Sequence, residues 1–112
     1  MFRYQLMRPV EGVKKGLRYD EIDPTTAGLG SPGEVKARLA AVFPAAQWRV
    51  TDTGTCIADD GPLKILFDVE ADGQVRLVMM GDAGQQQVAT AARALKTVVS
   101  DTESDEMELR VY

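Results

Sequence analysis

Residues 63–80, with the sequence LKILFDVEADGQVRLVMM, have the pattern of two β-strands joined by a tight turn. Apolar and polar side chains alternate over residues 63–70, as in a strand with one buried face. Ala71-Asp72-Gly73 is a strong turn signal, and residues 74–80 then repeat the alternation. The residues expected on the inner face are Leu63, Ile65, Phe67, Val69, Val75, Leu77 and Met79.

The same stretch carries three further apolar residues, Leu66, Val78 and Met80, which alternate out of phase with that inner face. A fully solvated outer face would carry polar residues at these positions. We therefore expect Leu66, Val78 and Met80 to contact either a second layer or a partner.

Shorter strands are predicted on both sides of this pair. Residues 48–51 and 55–58 alternate around the turn Asp52-Thr53-Gly54. The chain starts with an alternating strand over residues 2–7, and the pattern of residues 107–112 predicts a last short strand.

Two helices are predicted between the strands. Ser31 can cap the first helix, Pro32 suits its first position, and Glu34 completes a capping box. That helix runs to residue 43 and is stopped by a proline. The second helix is predicted from about residue 85 to residue 99.

The element order is β-α-β-β-β-β-α-β, which indicates an α+β fold. Its simplest burial is a two-layer sandwich, with about four to six mainly antiparallel strands and both helices on one face. We expect residues 1–112 to form a single domain. Residues 9–30 are a long loop that either holds a short element near residues 17–22 or is a functional or mobile segment. Residues 101–108 form an acidic run.

The composition excludes several kinds of function. The chain has no histidine, which excludes Ser-His-Asp and Cys-His catalysis and histidine-bound metals. The single cysteine, Cys56, fits a reducing compartment, and its strand context predicts a buried, inert thiol. With no membrane span and no signal-peptide pattern, we expect a cytoplasmic protein that is not an enzyme, binds no cofactor or metal and has no membrane partner.

Charge is distributed unevenly along the chain, whose net charge is −4. Residues 1–50 contain eight Lys and Arg against five Asp and Glu, whereas residues 51–112 contain five against twelve. This balance disfavours nucleic acid as a partner. The basic residues Arg8, Lys14, Lys15 and Arg18 are more typical of a solvated loop than of a phosphate-binding face.

Gly28-Leu29-Gly30-Ser31-Pro32-Gly33 has the G-x-G-x-x-G spelling of dinucleotide-binding loops. That chemistry needs a buried strand leading into the first glycine, and residues 23–27 do not form one. We interpret the motif as a Gly-rich lead-in to a capped helix. An anion site at Gly30, Ser31 and Gly33 is still predicted as an option, because free amides and the helix dipole point outward there.

Asp52-Thr53-Gly54-Thr55 has the spelling of the aspartic-protease signature, in which two carboxylates share a proton. The polar residues before it do not form the apolar run that buries such a pair, so the motif indicates a turn. Asp59-Asp60, and Asp68 with Glu70, offer oxygen ligands for a hard cation. Their turn and exposed-strand spacing favours solvated carboxylates.

Three segments, GTCIAD at 54–59, LKILF at 63–67 and VRLVMMG at 75–81, follow one predicted helix and precede another. In this arrangement residues 31–99 resemble part of the type III secretion chaperone (Tir chaperone-like) family. In that family of small acidic cytoplasmic proteins, a helix precedes a three-stranded meander and then a dimer-forming helix. The resemblance implies chaperone function and leaves a homodimer open.

The interpretation that fits these observations best is a non-catalytic acidic protein-binding module, chaperone-like or adaptor-like. Its partner would be a basic or partly unfolded protein, held by β-augmentation at a sheet edge and attracted by the acidic half of the chain. The expected partner-binding residues are Leu66, Val78, Met80, Asp68, Glu70, Asp101, Glu103, Asp105 and Glu106.

Two alternatives remain open. An immunity-type inhibitor of a single toxin fits the small size, the acidity and the lack of catalytic residues equally well. A small enzyme would have to use the Asp52 turn or the anion site of the helix starting near Ser31.

Overall fold

The computed structural model describes residues 2–20, 26–105 and 107–112. Within them it contains a six-stranded antiparallel sheet and two helices in the predicted order, which confirms the α+β fold. The strands are β1 (Tyr4–Met7), β2 (Gln47–Val50), β3 (Cys56–Asp60), β4 (Leu63–Phe67), β5 (Val78–Gly81) and β6 (Val98–Asp101), and the helices are α1 (Pro32–Val42) and α2 (Gln85–Leu95). Across the sheet the order is β2-β3-β4-β5-β1-β6, so β2 and β6 are its edges.

Both helices pack on one face of the sheet, the inner face, and enclose the main core with it. One cross-strand row of this face consists of Cys56, Phe67, Val78, Leu6 and Val99. The helices add Val35, Leu39, Val88, Ala91, Ala92 and Leu95 to the same core. Complete burial of a Leu, Val or Phe side chain contributes about 1.5–3 kcal/mol, so this core accounts for the two-layer arrangement.

The start of α1 confirms the predicted capping box. The Ser31 Oγ accepts a hydrogen bond from the Glu34 backbone N at 3.2 Å, and the Glu34 Oε1 accepts one from the Ser31 N at 3.4 Å. The helix ends at Val42, one residue before the predicted position. Neither α1 nor α2 is long and apolar enough to cross a bilayer, and no other helix occurs among the described residues.

Helix α2 ends at Leu95, so the predicted helical end at residue 99 is wrong. Lys96 adopts a left-handed conformation with φ 55°, which stops the helix. Arg8 donates hydrogen bonds to the backbone oxygens of Leu95 and Lys96 and to the Gly28 oxygen at 3.1 Å. An arginine from the start of the chain therefore satisfies carbonyls that the end of a helix leaves free.

The last strand of the sheet is β6, and the strand predicted at residues 107–112 is wrong. The C-terminal segment makes only isolated bridges, Arg18 with Glu108 and Val99 with Arg110. Backbone hydrogen bonds of 2.9 Å join Val99 and Arg110 in both directions, so this segment lies along the outer edge of β6. The edge of β6 is therefore partly covered by the chain itself.

The described part of the predicted loop at residues 9–30 also covers the sheet. Leu17 is buried with Met7, Val98 and Leu109 in a second, smaller apolar cluster on the outer face of β1 and β6. The Leu109 N donates to the Leu17 O at 2.7 Å, which ties the loop to the C-terminal segment. Residues 17–20 of the short element expected at 17–22 are thus anchored, and its last two positions lie outside the described residues.

Candidate partner-binding surface

The outer edge of β2 has no strand beside it in the described part of the chain. The Thr51 N donates to the Thr55 O at 2.9 Å across the β2–β3 turn. Because inward and outward groups alternate along an antiparallel strand, Arg49 then faces β3, and the amides and carbonyls of Trp48 and Val50 point away from the sheet. The side chain of Val50 is 67% exposed. This edge is ready to pair with a further strand.

A hollow of about 520 Å³ lies beside the open edge. It is lined by Ala45, Gln47, Trp48, Arg49, Asp59, Asp60 and Gly61. The Trp48 ring stacks at a tilt on Phe67, with 6.0 Å between ring centroids, and its Nε1 is buried with no acceptor. A buried donor without a partner is costly, so an acceptor supplied from outside would stabilise this place.

The outer face of the middle strands carries an uncovered apolar row. Ile57, Leu66 and Met79 are direct cross-strand neighbours, and each is half-buried. The predicted outward placement of Leu66 is correct. We call the outer face of β3, β4 and β5, together with the open edge of β2, the bare side of the sheet. The outer face of β1 and β6 with the segments that cover it is the covered side.

The predicted outward placement of Val78 and Met80 is wrong. Both are fully buried in the core, opposite Phe67 and Ile65 of β4. The alternation changes phase before β5, because Val75 pairs with the chain around Leu29 and is buried as well. Leu77, predicted to be buried, is exposed, and Met79 replaces Val78 and Met80 on the outer face. Neither Val78 nor Met80 can contact a partner without opening the core.

Four carboxylates lie at the turns of the bare side without a described ion pair: Asp52, Asp60, Asp68 and Glu70. Asp68 accepts a hydrogen bond from the Thr55 hydroxyl, and Glu70 is exposed. Asp59 differs from them, because Lys64 and Arg49 neutralise it and the hydrogen bond from Lys64 lowers its pKa. The predicted residues Asp68 and Glu70 therefore do lie beside the bare side.

The acidic run does not form one surface. The Asp101 side chain is only 2% exposed and is held by Arg3, at 2.9 Å from Nε to Oδ1, and by Arg110, at 3.1 Å from Nη2 to Oδ2. The hydrogen bond from Arg3 lowers the pKa of Asp101. Asp101 shares a cross-strand row with Tyr4 and Met80 of the inner face, so its charge is already paired inside the fold, and its role in binding a partner stays a prediction. Glu103 lies 3.4 Å from the same Arg3, Asp105 is exposed, and Glu106 is outside the described residues.

The start of α1 offers little to an anion. The Gly30 N donates to Gln74 Oε1 at 3.2 Å, and the Ser31 and Glu34 amides are used by the capping box. The Glu34 carboxylate also brings a negative charge to the place where an anion would sit. Packing explains why residue 28 is a glycine, since a Cβ there would lie 2.5 Å from Gln74 Oε1. Of the predicted anion site, only the Gly33 amide is without a described partner.

The fold places no reactive partner group beside the other two sequence motifs, the Asp52 turn and Cys56, in the described part of the chain. Asp52 is exposed in the turn between β2 and β3. Cys56 is buried, and burial raises the pKa of its thiol, which disfavours the reactive thiolate. No group of three or more acidic, cysteine or histidine side chains in the described ranges is arranged to hold a metal ion.

Sequence reasoning identified sheet edges in general but missed Trp48 and Val50. The signal was weak: a four-residue strand with mixed polarity does not reveal which of its sides is unpaired. Comparison with known proteins adds nothing to this geometry, because no family model, curated protein or solved structure matches the chain.

Proposed function

We propose that this chain is a non-catalytic protein-binding module whose open β2 edge accepts an extended, basic segment of a partner. The observation that carries the proposal is the contrast between the two edges of one sheet. The C-terminal segment lies along β6, whereas the Trp48 and Val50 backbone groups of β2 face outward and have no partner among residues 2–20, 26–105 and 107–112. Unprotected edges are normally blunted, so a free one beside an apolar face favours a binding role.

The groups around this edge favour a basic partner. Asp52 lies at the turn that ends β2, and Asp60 lines the hollow near its start. Asp68 and Glu70 follow β4 on the same side of the sheet. Lysines or arginines on an added strand would meet these carboxylates, while its backbone groups bond the Trp48 and Val50 groups at the β2 edge. Such charge complementarity raises the association rate and selects the partner.

A second copy of the chain fits the edge less well. Each copy carries a net charge of −4, and pairing two β2 edges would bring the carboxylates of the two bare sides together. We therefore propose a different, basic protein as the occupant. Chaperone-like or adaptor-like action on a partly unfolded client is the form of this proposal that follows from the family resemblance.

The test uses a photo-crosslinking amino acid at position 50, compared with the same group at position 10. Val10 is a matched control, because it is 59% exposed and lies in the loop after β1. Crosslinked peptides identified by mass spectrometry should come from position 50 and be rich in lysine and arginine. Equal capture at both positions, or capture of the chain's own peptides from position 50, would contradict the proposal.

Val50→Lys, with Val10→Lys as its control, measures the strength of the same contact. A lysine at an edge discourages strand addition, so binding of the crosslinked partner should weaken about tenfold, which corresponds to about 1.4 kcal/mol. Recovery of one toxin as the sole partner would assign the module to the immunity-type inhibitors. Recovery of several basic, partly unfolded clients would assign it to the chaperone-like class.

A further inference from the structure

A second concave site lies far from the open edge, between the start of the long loop and the C-terminal end of α2. It is a cleft of about 560 Å³ whose lining includes Arg8, Ala92, Arg93, Lys96, Thr97 and Tyr112. The volume falls within the usual range of small-molecule sites, roughly 300–1,000 Å³. Since α2 leads into β6, the cleft belongs to the opposite end of the sheet from β2.

The cleft concentrates positive charge that the described residues leave unbalanced. Arg93 and Lys96 are exposed and form no ion pair with any described carboxylate. Arg8 is fixed by three backbone carbonyls and likewise forms no ion pair with a described carboxylate. Burial, and then the nearby charge of Arg38, lower the pKa of Arg8. An anion in the cleft would offset the positive charge of the residues that line it.

Thr97 supplies an independent sign of a missing partner. The residue lines the cleft and is only 3% exposed, and its Oγ1 is buried with no hydrogen-bond partner. Buried hydroxyls are nearly always satisfied, because leaving one unpaired is costly. A hydroxyl can donate to an anionic oxygen, so Thr97 and the cations complement the same kind of ligand.

The end of a helix would by itself repel an anion, because its free carbonyls carry partial negative charge. Here the Leu95 and Lys96 carbonyls accept hydrogen bonds from the Arg8 guanidinium. Arg8 therefore offsets the negative end of α2 and leaves the charges of Arg93 and Lys96 to dominate the cleft.

We propose that this cleft binds a small organic phosphate. The two cations Arg93 and Lys96 match the two negative charges of a phosphate dianion better than a single carboxylate, and the Thr97 hydroxyl adds a donor. The cleft is larger than inorganic phosphate needs, and the lining residues Val13 and Ala92 offer an apolar surface for the organic part. This site is independent of the β2 edge.

Titration with phenyl phosphate, inorganic phosphate and phenol, followed by amide chemical shifts, tests the proposal. Phenyl phosphate should give saturable shifts around residues 92–97, inorganic phosphate weaker ones, and phenol none. Arg93→Gln and Lys96→Asn should each weaken phenyl phosphate about tenfold. Asparagine is chosen at position 96 because it tolerates the left-handed backbone.

Arg49→Gln is the matched control, since it removes the same charge at the opposite edge of the sheet. It should leave the affinity for phenyl phosphate unchanged. The absence of saturable shifts in the wild-type protein would overturn the proposal, as would an equal loss of affinity in Arg49→Gln.

Thr97→Val separates binding from stability. Removing an unpaired buried hydroxyl should raise the melting temperature of the free protein and also weaken phenyl phosphate binding, whereas Thr97→Ser should keep the binding. A raised melting temperature with unchanged affinity would show that the hydroxyl does not face the ligand and would overturn its assigned role.

Discussion

The covered side and the bare side of the sheet consist of the same kind of antiparallel strand but differ in whether other described segments pack over them. On the covered side, Leu17 and Leu109 pack over Met7 and Val98, and Arg110 pairs with the edge of β6. On the bare side, no described segment covers Ile57, Leu66 and Met79, and β2 is the last strand of the sheet among the described residues. The described parts of the long loop and of the C-terminal segment thus protect the covered side.

This difference distinguishes the residues that stabilise the fold from those left for a proposed partner. Covering an edge needs residues from distant parts of the chain, and here they come from residues 10–20 and 107–111. Leu17 and Leu109 of these segments are buried in that process, and Arg110 pairs with Asp101 at the end of β6. The groups of the bare side that have no described partner are the ones that the proposed partner would use.

Removing the buried carboxylate of Asp101 at the end of β6 should have the largest effect on stability. Asp101→Ala leaves Arg3 and Arg110 without their shared partner, and we expect the free energy of unfolding to fall by about 2 kcal/mol. The loss is below that of a fully enclosed pair because both arginines reach solvent. Urea unfolding measures it, with the exposed Asp105→Ala as the control, expected within about 0.5 kcal/mol of wild type. Equal losses in both variants would show that the ion pairs of Asp101 with Arg3 and Arg110 do not stabilise the fold.

The same residue predicts a pH dependence. Arg3 lowers the pKa of Asp101 in the folded protein, so the carboxylate's contribution is fully present above its unfolded pKa of about 4. It is lost as the pH falls through the folded pKa. The stability difference between wild type and Asp101→Ala should therefore narrow below about pH 4, by at most about 1.4 kcal/mol per pH unit. A difference that stays constant down to pH 2.5 in urea titrations would contradict the assignment.

Two neighbouring proline substitutions test which backbone amides of β2 face away from the sheet. Arg49→Pro removes an amide that faces β3, whereas Val50→Pro removes one that faces outward. We expect Arg49→Pro to destabilise the fold by about 1–2 kcal/mol more than Val50→Pro, as measured by thermal unfolding. The reverse ranking would place the open side of β2 on the wrong residues.

Local signals in the sequence predicted much of the fold. Ser31, Pro32 and Glu34 lie within one helical turn, so the start of α1 could be predicted from neighbours alone. The end of α2 could not, because its residues carry no glycine signal and its cap comes from Arg8, more than eighty residues away. Val78 and Met80 were misplaced for a similar reason, since the phase of β5 depends on the pairing of Val75 with the chain around Leu29.

The candidate sites were harder to predict than the fold. The acidic run by itself predicts that Asp101 is exposed to solvent. The burial of Asp101 depends on its ion pairs with Arg3 and Arg110, which local sequence does not predict. Arg93, Lys96 and Thr97 look like an ordinary helix end, and the cleft exists only because Arg8 and Tyr112 come to meet them. Which edge of the sheet stays open depends on where the long loop and the C-terminal segment pack, and the strand patterns in the sequence do not predict this.

Amide hydrogen exchange at single-residue resolution tests whether the β2 edge is open and the β6 edge is covered. In the free protein the amides of Trp48 and Val50 should exchange quickly, while those of Val99 and Arg110, which bond each other across the β6 edge, should be protected. Adding the crosslinked partner should protect Trp48 and Val50 and leave Val99 unchanged. Protection of Val50 equal to that of Val99 in the free protein, or no gain at Trp48 and Val50 with the partner bound, would contradict the account.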